Sequence, residues 1–140
     1  MCSSDLIQMN LIETDLVAWL DFGYCREPIN CTKWSYPFDK EKIHFFTIKD
    51  WIEGTYIQDV IANNDVHVTG PCIVTDKQKW PLLEALINHN TQELLKNNLI
   101  DDDQTLLLMS YLSKPDLFEL HKVSSSDWFV ALKDYNESIS

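Results

Sequence analysis

Glycine is scarce in this chain, with three residues in 140 and no two of them close together. That excludes the G-x-G-x-x-G and G-x-x-x-x-G-K-S/T loops, whose glycines let backbone amides approach the phosphates of dinucleotides and nucleoside triphosphates. Arginine occurs once, as Arg26, and 11 Lys and Arg stand against 22 Asp and Glu, for a net charge of -11. A chain without clustered cations lacks the electrostatic footprint for nucleic acid or anionic membrane surfaces, so neither is expected as a partner. No apolar run approaches the ~18 residues of a membrane span. The opening "MCSSDLIQMNLIE" has neither the basic start nor the apolar stretch of a signal peptide, so a cytoplasmic protein without a membrane span is expected. The four cysteines, Cys2, Cys25, Cys31 and Cys72, contain no C-x-x-C pair and read as reduced thiols in such a compartment.

What is present is the material of a core. A 45% hydrophobic share, five Trp and a mean hydropathy of -0.20 describe a globular chain rather than a disordered one. At this length a single domain over residues 1–140 is expected, burying about 68–70% of the surface that its unfolded form exposes.

The spacing of Leu6, Ile7, Met9 and Ile12 predicts a short amphipathic helix, with Ser3 or Ser4 able to cap it. "LVAWLDFG" then reads as a buried strand that ends at Asp21 and enters a turn. Residues 27–37 have a loop composition, and "KIHFFTI" is a second strand. "WIEGTYIQDVIANND" is compatible with either a strand or a helix ending at its Asn-Asn-Asp turn. "VHVTGPCIV" is a strand with a bulge or sharp bend, because Pro71 cannot donate to a ladder. Thr75 or Asp76 caps a helix with Trp80, Leu83, Leu86 and Ile87 on one face, which either runs to Asn97 or restarts near Asn90. "DDDQTLLLMSYLSKP" is a helix apolar on more than one side, "DLFELHKV" a strand, and "SSSDWFVALKDY" a last helix. The alternation predicts an α/β fold, a mixed sheet with flanking helices.

Two acidic positions stand out. Asp21 falls where a strand of an open α/β sheet ends, the edge at which such sheets bind ligands, and a carboxylate there is a hard ligand suited to Mg²⁺ or Mn²⁺. The same Asp before Phe-Gly is also ordinary turn chemistry. Of Asp101, Asp102 and Asp103, helix capping accounts for one or two, leaving Asp103 available as a general base with Gln104 beside it to bond a hydroxyl-rich ligand. His121, near the end of its strand, is either a metal ligand or a structural histidine. Arg26 either grips a diphosphate bidentately or pairs with surface carboxylates.

"LVAWLDFGYCR" resembles the W-I/L-D-F-G signature of the HtrL/YibB family, bacterial proteins associated with the lipopolysaccharide core locus and without a settled activity. The run from "VHVTGPCIV" through "DDDQTLLLMSYLSKPDLFELH" is similar to the back half of that family and, more loosely, to A-type glycosyltransferases. The resemblance covers the chain from Leu6 to Trp128 and implies the C-terminal part of a nucleotide-diphospho-sugar transferase fold. It implies that Asp21 is the first acid of a metal-binding D-x-D, that Asp102, Asp103 and Gln104 match a D-D/E-Q run, and that His121 is a late metal-binding histidine. Gly23 stands where the second acid of D-x-D would be, and Pro71 and Cys72 stand where a second Gly and an aromatic are usual. The base-binding half of an A-type enzyme precedes its D-x-D strand, whereas 20 residues precede Asp21 here.

Two functions follow from the resemblance. One is transfer of a sugar from a nucleotide sugar to a saccharide acceptor, with Mn²⁺ or Mg²⁺ held by Asp21 and His121, the diphosphate by Arg26, and Asp103 with Gln104 at the acceptor. The other is a non-catalytic or truncated domain of the same fold that serves as a structural or interaction module. Uncovered strand edges in such a part of a fold predict self-association, and a homo-oligomer is expected.

Overall fold

The computed structural model describes residues 3–21, 23–24, 36–50, 54–123, 129 and 131. The elements run α1 (Ser3–Gln8), β1 (Leu16–Leu20), β2 (Ile43–Thr47), α2 (Ile57–Asn63), β3 (Val68–Asp76), α3 (Trp80–Lys96), α4 (Asp103–Ser113) and β4 (Phe118–Lys122). The expected loop over 27–37 and the last helix of "SSSDWFVALKDY" fall largely outside the described residues.

The four strands form one mixed sheet in the order β1-β3-β2-β4, with β1 and β2 antiparallel to β3 and β4 parallel to β2. β2 is buried along its whole length, His44 included, and β3 over eight of its nine residues, an unbroken run of apolar and small side chains. β1 departs from the expectation of a buried strand. It pairs with β3 alone and its side chains are half-buried, with Trp19 41% exposed, because among the described residues no strand covers its outer edge.

β3 contains the expected irregularity. Neighbouring Phe45 and Phe46 pair with Ile73 and Thr69, four residues apart, so Gly70, Pro71 and Cys72 bulge out of the ladder toward β2. On the other side β3 still pairs with β1, Leu20 opposite Cys72.

Among the described residues all four helices pack on one face of the sheet. Val60 of α2, Trp80 and Leu83 of α3 and Leu107 of α4 meet Phe45 and Ile73 there, with Ile7 of α1 against the same cluster. The opposite face carries Phe46, Cys72 and Val74 under Tyr24, Phe38 and Ala131. Helix α1 is shorter than its spacing predicts: Asn10 turns left-handed, leaving Met9 and Leu11 exposed.

α3 begins after a 3-10 turn capped by Asp76, whose carboxylate accepts the Gln78 N–H at 2.8 Å. It runs unbroken through Asn90, which is buried and ties α3 to α4. The Asn90 amide donates to Ser110 Oγ at 2.9 Å and to the Leu106 carbonyl at 3.3 Å, and Ser110 Oγ donates to the same carbonyl at 2.8 Å. A buried amide that donates twice across two helices fixes their register where apolar contacts alone leave it free to slide. Asn90→Ala should therefore lower stability by about 1–3 kcal/mol. Urea unfolding reads this directly, and an unchanged midpoint would show that the helices are not tied through this amide.

Candidate functional site: an acidic cleft at the strand ends

The C-terminal ends of β1, β2 and β4 and the start of β3 lie at one end of the sheet, since β3 alone runs the other way. Asp21 sits there. Its N–H donates to the Pro71 carbonyl at 2.9 Å, and its own carbonyl accepts the Tyr24 N–H at 2.8 Å, closing the turn through Gly23. The turn is thus held by main-chain bonds. The exposed Asp21 carboxylate has no hydrogen bond or ion pair among the described residues.

The three acids before α4 divide their work. Asp102 is the N-cap, its carboxylate accepting the Thr105 N–H at 3.2 Å, and Asp101 accepts the Thr105 hydroxyl at 2.7 Å. Asp103, the first helical residue, is left over. One side of its carboxylate meets solvent, and the other lies on the backbone of Gly70, where a Cβ would stand 2.6 Å from Oδ2. Only glycine allows that approach. Partial burial raises the Asp103 pKa, and the charges of Asp102 and Asp21 add to the rise, against backbone N–H groups of Asp103 and Gln104 that lower it.

Asp103 and Gly70 form part of the wall of a cleft of about 280 Å³ between the sheet and α3 and α4, lined also by Trp19, Trp80, Glu84 and Asn88. This is near the lower end of the range for small-molecule pockets, about 300–1,000 Å³. Trp80 is 6% exposed, and its indole N–H has no hydrogen-bond partner among the described residues. Gln104, half-buried, does not line the cleft.

His121 lies elsewhere. Its neighbour Leu120 packs on the helix side of the sheet, while His121 stacks on Phe46 on the opposite face and hydrogen-bonds His44, Nε2 to Nδ1 at 2.8 Å. It does not join Asp21, from which the sheet separates it. The reason is the pleat: an alternating strand sends successive side chains to opposite faces. Arg26 lies outside the described residues. Sequence reasoning passed over His44, Glu119, Trp19 and Trp80. The strand pattern marked His44, Glu119 and Trp19, and the helix pattern Trp80, only as apolar-face or spacer residues, and the β2–β4 register that joins the first two was not readable.

The chain is an α/β protein with flanking helices on a four-stranded mixed sheet among the described residues, and its family follows from its relatives. The chain belongs to the HtrL/YibB family: the family's model, described as a bacterial protein of unknown function, matches residues 3–137. It is 41% identical over 130 residues to Protein HtrL of Escherichia coli (strain K12), covering 88% of this chain and 45% of that protein. The chain therefore spans less than half the length of that relative. No solved structure matches it. No helix among the described residues is long and apolar enough to cross a membrane.

Two pH effects follow. Asp103 has a folded pKa above its ordinary 3.8, so its contribution to stability is complete below that value and is lost as pH rises through the folded value. Asp103→Asn should accordingly raise the Tm at neutral pH, with the gain vanishing below about pH 3.8; a lowered Tm at pH 7 would contradict the electrostatics. His121 has the opposite sense. Burial and then His44 hold it near a pKa of about 4 against 6.5 when unfolded, so stability is complete above 6.5 and falls as pH drops toward 4. His44 is lowered too, by burial first. Denaturant unfolding from pH 7 to 4 should show this loss, and a flat profile would place charged histidines in the fold.

Proposed function

We propose that the cleft at Asp103 is the acceptor side of a sugar-transfer site, and that the chain carries this part of a glycosyltransferase-like protein. The observation that supports it best is Asp103 itself, spared from capping, seated on Gly70 and raised in pKa at the mouth of a tryptophan-lined cleft. A base of raised pKa is better matched to proton transfer near neutral pH than an ordinary carboxylate. Asp103 would take the proton of an acceptor hydroxyl as its oxygen bonds to the anomeric carbon of the donor and the nucleoside diphosphate leaves. Trp19, with its partly exposed ring, offers an apolar face to a sugar, while Glu84 and Asn88 offer groups that bond hydroxyls. Gln104 would act from the helix end behind Asp103.

The donor set partly fits a divalent ion. The Asp21 carboxylate is exposed and unengaged among the described residues, a hard oxygen ligand of the kind that Mg²⁺ or Mn²⁺ shares with substrate phosphates. Such an ion would neutralise charge on the departing diphosphate, and Arg26 would contact the same group. The family resemblance points to a saccharide of the lipopolysaccharide core as acceptor. A second reading, a non-catalytic module, draws on Gly23 in place of a second strand-end acid and on the chain's share of Protein HtrL.

Thermal shift separates the two. A ligand at 100 times its Kd adds ~2.7 kcal/mol of stability, about 5–10 °C for a chain of this size. Mn²⁺ with a uridine diphosphate sugar should raise the Tm, and Asp21→Asn, isosteric and at the surface, should remove the rise. No shift across a panel of nucleotide sugars would favour the module.

A further inference from the structure

On the face of the sheet away from the cleft, the parallel register of β2 and β4 sets His44 opposite Glu119, with His121 next on the same face. We propose that His44, Glu119 and His121 form a binding site for a zinc-class divalent cation, distinct from Asp21 and from the cleft at Asp103.

The geometry carries this. His44 Nδ1 lies 2.8 Å from His121 Nε2 and 3.5 Å from Glu119 Oε2, and His121 Nε2 lies 4.0 Å from Glu119 Oε1. Ligand atoms about 2.0–2.1 Å from a tetrahedral ion stand about 3.3 Å apart. One ligand atom from each of the three residues lies within 4.8 Å of the others, so an ion is enclosed when the ring contact widens by about half an ångström and the exposed Glu119 carboxylate turns inward. The carboxylate is too far from either ring for a good hydrogen bond and makes none among the described residues. It stands at ion-pair distance from both imidazoles with its oxygens free to turn toward a cation held between them.

The supporting contacts point the same way. His44 Nε2 donates to the Asp39 carbonyl at 2.8 Å, which leaves its lone pair on Nδ1, the nitrogen that faces the other two residues. Metal-ligating histidines are oriented in this way by the bond their second nitrogen makes. The rings are locked by packing: His121 lies against Phe46 at 5.4 Å and Phe38 at 5.4 Å, and His44 against Phe38 at 4.8 Å. His44 and His121 are 0% and 4% exposed, while the Glu119 side chain is 45% exposed and opens the cluster to solvent. Two imidazoles and one carboxylate suit zinc, cobalt or nickel over magnesium or calcium, which prefer all-oxygen shells. Three protein ligands leave a fourth position for water.

Chelator-stripped protein, its thiols blocked by alkylation, is titrated with Co²⁺ followed by absorption and with Zn²⁺ followed by calorimetry and Tm. We expect one equivalent bound, the visible bands of tetrahedral cobalt, a Tm rise with Zn²⁺ and none with Mg²⁺ at the same concentration. Glu119→Gln, a change at the surface that spares the core, should weaken binding about tenfold or more, and His121→Gln should abolish it. Asp21→Asn should leave it unchanged, which keeps this site separate from the sugar-transfer reading. Absence of stoichiometric zinc binding, or binding indifferent to Glu119→Gln, would overturn the site.

Discussion

The arrangement around Asp21 and Asp103 depends on the three residues by which β3 fails to match β2. Pro71 has no N–H to give the ladder, and the strand answers by bulging between Thr69 and Ile73 while holding β1 on its other side. On the β1 side the Pro71 carbonyl still takes the N–H of Asp21 in register, but Pro71 has no N–H to return, so the Asp21 carbonyl accepts the Tyr24 N–H instead and β1 ends. Gly70, beside Pro71, has no Cβ and leaves room for the Asp103 carboxylate. One irregularity thus positions the end of a strand, the start of a helix and two acids from distant parts of the chain.

The acids so gathered repel one another. Capping absorbs Asp101 and Asp102 through Thr105, but Asp103 is left with one side against protein, and that burial first, then the charges of Asp102 and Asp21, raises its pKa. A helix N-terminus relieves part of it. Functional sites are places where such locally unfavourable arrangements are held in place by the fold around them, and here that support comes from the core of Phe45, Ile73, Leu83 and Leu107 directly beneath.

The two faces of the sheet carry different chemistry because the pleat sorts neighbours. In β4, Leu120 joins the helix-side core and His121 the opposite face; in β2, Phe45 and His44 divide likewise. The Asp103 carboxylate falls on the helix side, and the two imidazoles fall on the other with Glu119 beside them. Two buried imidazoles stay neutral there, since desolvation disfavours their charged forms.

Local chemistry was readable from the chain: the stop at Asp21, the bend at Pro71, the Asp76 cap, α4 bounded by its acids and by Pro115, and an Asp103 in excess of what capping uses. Each depends on residues within about four positions, where caps, turns and helical periodicity act. Asn90 shows the limit, since local spacing left open whether the helix ran on to Asn97 or restarted there, whereas a partner 20 residues away made it a link between helices. That β1 is an edge, that β4 lies parallel to β2, and that His121 meets His44 rather than Asp21 were decided only in three dimensions. Strand pairing and register join residues as far apart as His44 and His121, 77 positions, and a shift of one residue would send every side chain to the other face.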